Sequence, residues 1–110
     1  MVGHTGNLDA TIKAVETVDN CIGDITKEIK KINGTILITA DHGNCEQMWD
    51  DQFNSAHTAH TTNLVPFIMI NKNQNIVKLT DGKLSDIAPT VLELLGIKKP
   101  KSMTGQTLIT

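Results

Sequence analysis

Apolar residues recur every three or four positions between Asn7 and Lys31, and charged residues fill most positions between them. This spacing predicts one long amphipathic helix. Asn7 is a suitable N-cap, and Asn33-Gly34 is a suitable stop. At the usual rise per residue the helix is roughly 40 Å long, so we expect it to lie across a larger sheet. Its apolar positions are Leu8, Ile12, Val15, Val18, Ile22, Ile25, Ile29 and Ile32.

Continuously apolar runs after this helix predict strands. Thr35–Thr39 (TILIT) is typical of a strand buried on both faces of a parallel sheet. Leu64–Ile70 (LVPFIMI) is a second strand, and Pro66 indicates an irregular or edge start. A polar turn at Asn71–Asn75 then leads to a third, short strand at Ile76–Leu79.

A second helix is predicted over Leu84–Leu95. Ser85 is the expected N-cap, Pro89 falls in the first turn, and Gly96 ends the helix. The tail from Lys98 to Thr110 is expected to be irregular. Helices alternating with apolar strands predict an α/β fold.

Length and composition narrow the class of protein. The chain has 110 residues, 39% of them hydrophobic and 20% charged, with a net charge of −2. These values are typical of a globular protein and give no reason to expect a nucleic-acid partner. The sequence shows neither a membrane span nor a secretion signal, which predicts a cytoplasmic protein with no membrane attachment. Two or three strands and two helices do not cover both faces of a parallel sheet, so residues 1–110 are expected to be a single, incomplete domain.

The two cysteines and the absence of arginine predict the state of the thiols and the location of substrate-binding residues. Cys21 and Cys45 are not spaced as a CxxC pair, and we predict free, partly buried thiols rather than ligands. All ten basic residues are lysines. Guanidinium groups are the usual side chains that bind phosphates and carboxylates. If the substrate is such an anion, we expect the main substrate-binding residues to lie outside these 110 residues.

Four residues in predicted loops could carry chemistry: His4, Asp41, His42 and His60. Ligands of open α/β sheets bind beyond the carboxyl ends of the strands, so we expect these loops to converge there. Gly43 is expected to let the backbone bend sharply after His42.

Imidazole and carboxylate together suit Mn²⁺, Zn²⁺ or Co²⁺, whereas Mg²⁺ prefers oxygen ligands. Adjacent side chains on a turn are expected to diverge, so Asp41 and His42 fit a two-metal centre that clamps a phosphoryl group. An ordinary polar turn is the alternative, because Asp and Gly both form turns. His57 is predicted to lie on the surface or behind the ligands.

Four segments of the chain carry a family resemblance. VGHTGN, ITADHGNCEQM, TAHTTNLVPFI and LSDIAPTVLELLGI with MTGQTLI resemble the C-terminal part of the 2,3-bisphosphoglycerate-independent phosphoglycerate mutases. This family belongs to the alkaline phosphatase-like metalloenzymes. The first and third segments are specific to the mutases, whereas TADHGN is shared with the wider superfamily. The resemblance implies a partial three-layer α/β/α domain with a mostly parallel sheet.

The resemblance also implies an activity and a ligand set. The family is glycolytic and interconverts 3-phosphoglycerate and 2-phosphoglycerate through a phosphoserine intermediate, with two Mn²⁺ per active site. Mg²⁺, Co²⁺ or Zn²⁺ are possible substitutes. Carried over residue by residue, His4 and His60 would bind the first manganese, and Asp41 and His42 the second.

Several parts of the family's active site have no counterpart in these residues. The nucleophilic serine, which is itself one of the metal ligands, two further ligands that are both Asp, and the arginine-rich substrate domain are not matched. One of those two Asp ligands is placed immediately ahead of Met1. We therefore expect these residues alone to be inactive and to self-associate, and the full enzyme to be a monomer. The alternatives are another superfamily member, such as a phosphopentomutase or phosphatase, or a non-catalytic metal-binding or interaction module.

Overall fold

The computed structural model describes residues 1–71 and 78–110, which form two compact units, Met1–Asn73 and Gln74–Thr110. The predicted α/β fold is confirmed, whereas the single-domain expectation stays a prediction. The first unit contains a 3₁₀ turn (Val2–Thr5), helix α1 (Leu8–Lys31) and strands β1 (Thr35–Thr39), β2 (Trp49–Asp50), β3 (Ser55–Ala56) and β4 (Phe67–Asn71). The second unit contains a 3₁₀ turn (Leu84–Asp86) and helix α2 (Ile87–Leu94).

Helix α1 forms where the periodicity predicts it. The Asn7 side chain accepts a hydrogen bond from the Ala10 N–H at 3.0 Å, which caps the first turn. Asn33 ends the helix in the left-handed region, with φ at 56°. The apolar face is present but lies open, because Val18 and most of its apolar neighbours on this face are about half exposed, Val18 at 57%.

Strands β1 and β4 pair antiparallel, with Thr35 opposite Asn71 and Thr39 opposite Phe67. The bounds predicted for β1 are confirmed, and β4 begins directly after Pro66. The parallel arrangement expected for β1 is wrong for this pair, and its side chains are at most half-buried. An apolar, β-branched run indicates a strand but does not fix the direction of its neighbour, and here the neighbour β4 runs antiparallel.

The hairpin of β2 and β3 was not predicted. Trp49 pairs with Ala56, and Asp50 pairs with Ser55. Strands of two residues are too short to show an alternating pattern in the sequence. The tip is held by Asp50, whose carboxylate accepts the N–H of Gln52 at 2.9 Å.

The second helical segment begins differently from its prediction. Residues 84–86 form a 3₁₀ turn before α2, and Ser85 makes no capping hydrogen bond, so Ser85 as N-cap is wrong. Asp86 is the N-cap residue of α2, but its carboxylate does not cap that helix. The carboxylate instead accepts the N–H of Lys83 at 2.9 Å, at the start of the 3₁₀ turn, and of Gln106 at 2.8 Å. The second donor comes from the distant tail, so local sequence could not indicate it.

The tail packs on α2 through Thr90, which is fully buried. Its hydroxyl donates to the Asp86 carbonyl at 2.7 Å and accepts from the Leu108 N–H at 3.0 Å. Pro89 falls in the first turn, and Gly96 follows the helix with a φ of 66°, both as predicted.

Other predictions meet mixed outcomes. The predicted turn at 71–75 and strand at 76–79 fall largely outside the described residues, and Leu79 forms an isolated bridge with Ile109. Apart from that bridge, the tail from Lys98 is irregular as expected. Cys21 and Cys45 are free but exposed, so their predicted partial burial is wrong. Within the described ranges, no helix is both long and apolar enough to cross a membrane.

The hydrogen bonds to Asp86 predict a pH dependence in the second unit. The Gln106 and Lys83 N–H groups lower the pKa of Asp86. Its stabilising effect is therefore complete above the pKa of an unfolded aspartate and is lost as the pH falls through the lower folded pKa. We expect Asp86→Asn to lower the urea midpoint at pH 7 and to reduce the difference between pH 7 and pH 3, measured by circular dichroism. Asp81→Asn, an exposed carboxyl in the same unit, is the control. An unchanged pH 7 midpoint in Asp86→Asn would contradict this account.

Candidate metal site

Three separate segments of the first unit bring the candidate ligands together. His4 lies in the Val2–Thr5 turn, Asp41 and His42 follow β1, and His60 lies in the loop before β4. In an antiparallel pair the end of one strand lies beside the start of the next. The convergence therefore comes from the β1–β4 pairing rather than from the carboxyl ends of parallel strands.

The rings of His4 and His60 face each other. Their Nε2 atoms are 3.2 Å apart, and the ring centroids are 4.9 Å apart. His4 Nδ1 lies 2.6 Å from the Thr58 carbonyl oxygen. Because a carbonyl only accepts, His4 Nδ1 is the donor of this hydrogen bond, and in the neutral imidazole Nε2 then presents a lone pair towards His60.

His42 joins this pair through its ring. It stacks on His60 with centroids 3.6 Å apart and an interplanar angle of 17°. His42 Nδ1 lies 3.0 Å from the Gly43 carbonyl, which leaves Nε2 as the free lone pair. That Nε2 is 3.6 Å from Asp41 Oδ1, so the expected divergence of these two side chains is wrong.

The facing nitrogens of His4 and His60 have the spacing of two ligands on one divalent ion. Metal–nitrogen bonds are about 2.0–2.1 Å long, so two imidazoles on one ion hold their donor atoms roughly 3 Å apart. The Nε2 atoms of His4 and His60 meet this condition at 3.2 Å. Within residues 1–71 and 78–110, no three His, Cys, Asp or Glu side chains form a ligand set around one ion.

The electrostatics of the cluster favour neutral imidazole at His60. Removal from water lowers the pKa of His60, and the nearby His42 and His4 lower it further. Neutral imidazole is the form that binds metals. His57 is half-buried, and among the described residues its Nδ1 has no hydrogen-bond partner.

Residues between the ligands hold the loops together, and sequence reasoning missed them. The Thr61 N–H donates to the Gly43 carbonyl at 2.9 Å, and Asn44 Nδ2 donates to the Ala59 carbonyl at 3.1 Å. Glu46 accepts from the Thr61 hydroxyl and from Asn63 Nδ2. These residues sit inside the segments ADHGNCEQM and TAHTTN, but only their three-dimensional proximity reveals the contacts.

Two glycines are required by space rather than by backbone angle. Gly43 is not in the left-handed region, and a Cβ there would collide with the Thr61 hydroxyl and the Glu46 carboxylate. A Cβ on Gly3 would collide with the side-chain amide of Asn44. The sharp bend expected of Gly43 is therefore not its main role, which is to admit the neighbouring segments.

A family profile matches most of the chain. The Metalloenzyme superfamily profile matches residues 1–99, so this chain belongs to that superfamily. A family of metalloenzymes agrees with the pairs of donor atoms described above.

Individual relatives narrow the similarity from the superfamily to one kind of enzyme within it. The chain is 60% identical to the 2,3-bisphosphoglycerate-independent phosphoglycerate mutase of Onion yellows phytoplasma over 109 residues, covering 99% of this chain and 20% of the relative. It is 58% identical to the mutase of Vesicomyosocius okutanii, with coverages of 100% and 22%. A crystal structure of Leishmania mexicana phosphoglycerate mutase at low cobalt concentration superposes with a TM-score of 0.85 and 30% identity, covering 99% and 23% of the two chains. The chain thus spans about a fifth of the length of the curated relatives.

The packing around Gly43 gives a direct test. Gly43→Ala is expected to separate the loops of His42 and His60, because the added methyl group takes the space of the Thr61–Glu46 hydrogen bond. We expect lower stability and loss of the nuclear Overhauser effect between the two imidazole rings. Gly23→Ala, where open space surrounds the Cβ in α1, should instead stabilise the chain by about 0.5–1 kcal/mol. Equal effects of the two substitutions would contradict the role of Gly43.

Proposed function

We propose that this chain is the metal-binding part of a 2,3-bisphosphoglycerate-independent phosphoglycerate mutase, a glycolytic isomerase that interconverts 3-phosphoglycerate and 2-phosphoglycerate. The observation that carries the proposal is the convergence of His4, Asp41, His42 and His60 from three segments of the first unit. The high identity to curated mutases supports the assignment of substrate. A cytoplasmic location, a monomeric full enzyme and the absence of nucleic-acid and membrane partners belong to the same proposal.

The proposed ligand set divides into two pairs. His4 and His60 would hold one ion through their facing Nε2 atoms. Asp41 and His42 would hold the other through the carboxylate and Nε2. We propose Mn²⁺ as the ion in the cell, with Mg²⁺, Co²⁺ or Zn²⁺ as possible substitutes, since imidazole and carboxylate accept several divalent ions.

The chain's own residues keep this set ready for binding. The carbonyls of Thr58 and Gly43 accept hydrogen bonds from Nδ1 of His4 and His42, so in the neutral imidazole each Nε2 atom presents its lone pair for a metal. The lowered pKa of His60 keeps its imidazole neutral at physiological pH. When bound, divalent ions lower the pKa of a coordinated hydroxyl and neutralise charge on a phosphoryl group.

An autonomous metal-binding module is the second candidate. It is favoured by the facing nitrogens of His4 and His60, which need no residue from outside this chain. Calorimetric titration of the 110 residues with Mn²⁺ and Zn²⁺ separates the two functions. Submicromolar binding that is lost in His4→Ala or His60→Ala would favour the module.

Activity is best tested in a chimera. The aligned segment of the Onion yellows phytoplasma mutase would be replaced by these residues, to which it is 60% identical. We expect the chimera to interconvert the two phosphoglycerates in the presence of Mn²⁺, and the isolated 110 residues to show no turnover. His60→Ala in the chimera should lower kcat/KM by about 100-fold or more. Replacing a residue that only orients a metal ligand already lowers metal affinity or activity by about 10–100-fold, and loss of a ligand should cost more.

The control for this experiment is His57→Ala, which removes an imidazole from the same loop and should have a much smaller effect. An inactive chimera that folds and binds Mn²⁺ would overturn the proposed activity. Turnover by the isolated chain would overturn its expected inactivity.

The open apolar face of α1 predicts self-association of the isolated chain, because exposed apolar patches of this kind favour contacts between copies. Val18→Lys should reduce the apparent mass at high concentration, measured by light scattering. Asn20→Lys, at an exposed polar position of the same helix, is the control. A monomer at all concentrations would count against this prediction.

A further inference from the structure

We propose that Glu46 is a positioning residue for the candidate metal ligands, and this inference rests on the proposed function. Its carboxylate fastens the segment that carries Asp41 and His42 to the segment that carries His60. Glu46 belongs to neither proposed ligand pair.

The carboxylate connects these segments through both of its oxygens. Oε1 accepts from the Thr61 hydroxyl and, at 3.1 Å, from Asn63 Nδ2. Oε2 accepts from the Asn44 N–H on the other segment. One side chain therefore holds the backbone just after His42 and the residues just after His60.

The contacts lie next to the ligands in the chain. Thr61 follows His60, and its N–H donates to the carbonyl of Gly43, which follows His42, at 2.9 Å. The stacking of His42 on His60 depends on the separation of these two backbones. An isolated bridge of this kind has few hydrogen bonds of its own, so a side chain that spans it has a large share in setting that separation.

Charge explains why the residue is a glutamate. All the partners of the carboxylate donate hydrogen bonds, and an ionised carboxylate is the side chain that only accepts. The hydrogen bond from Thr61 is the largest cause that lowers the pKa of Glu46 to about 2, so the group is ionised at neutral pH. With both oxygens occupied, Glu46 acts on the ligands through the loops rather than as a ligand itself.

The test uses the 110-residue chain with Glu46→Gln, Glu46→Ala and Thr61→Val. Glutamine replaces one accepting oxygen with a donor, so either Asn44 or the Thr61 and Asn63 pair loses its acceptor. The first readout is the nuclear Overhauser effect between the rings of His42 and His60 without metal. The second is the affinity for Co²⁺, followed by visible absorption.

We expect the ring cross-peak to be lost in the Glu46 variants and weakened in Thr61→Val. Co²⁺ affinity should fall about 10–100-fold, as for other residues that orient metal ligands. Asp50→Ala is the matched control, because its carboxylate also accepts loop N–H groups but spans only the hairpin tip. It should leave both readouts unchanged.

The outcomes separate this inference from the proposed function. A wild-type chain that shows the cross-peak but binds no Co²⁺ contradicts the proposed metal pairs. In that case the cross-peak in the Glu46 variants alone tests the positioning role of Glu46. If Glu46→Ala does not fold, Glu46→Gln and Thr61→Val decide. Retention of both the cross-peak and the affinity in Glu46→Gln overturns the role of Glu46, and so does absence of the cross-peak in the wild-type chain.

Discussion

The antiparallel pairing of β1 with β4 is the constraint on which the candidate site depends. It sets Thr39 opposite Phe67, so the loop leaving β1 and the loop entering β4 meet at one edge. A slip of one residue would turn every side chain of β4 to the other face and would move His60 relative to His42. The apolar β-branched residues of both strands thus have a chemical consequence beyond their packing.

The loops at that edge are fastened by hydrogen bonds rather than by apolar burial. His4, His42 and His60 are all exposed, as is Glu46, and the groups that hold them are carbonyls, hydroxyls and amides. Such contacts have strict geometry, so they can hold donor atoms at fixed separations without a surrounding apolar core. The arrangement leaves the imidazole rings accessible to solvent.

Local interactions explain which parts of the fold could be predicted. Helix α1 depends on its own periodicity and on Asn7, so its bounds follow from the sequence alone. The residue before α2, Asp86, is bonded to the N–H of Gln106, and no local sequence pattern indicates a partner twenty residues away. The direction of β4 likewise shows only in its pairing with β1, because the residues of either strand alone do not indicate it.

The candidate site likewise has features that the sequence predicts and features that depend on distant contacts. Its candidate ligands could be named because they lie in loops beside predicted helices and strands and match a family resemblance, whereas their geometry could not be deduced. Asp41 and His42 were expected to diverge, yet the bond from His42 to the Gly43 carbonyl turns the imidazole towards the carboxylate. Glu46 went unnoticed because a lone glutamate in a polar loop resembles any solvated residue.

Asn44 carries a consequence for how this region can change over evolutionary time. Its side chain lies against Gly3 and donates to the Ala59 carbonyl, so it contacts the two other segments that bear candidate ligands. A larger residue at Gly3, Gly43 or Asn44 would displace more than one of these segments at once. Substitutions here are therefore expected to be accepted in compensating pairs, which makes positions 3 and 44 candidates for covariation among homologous sequences.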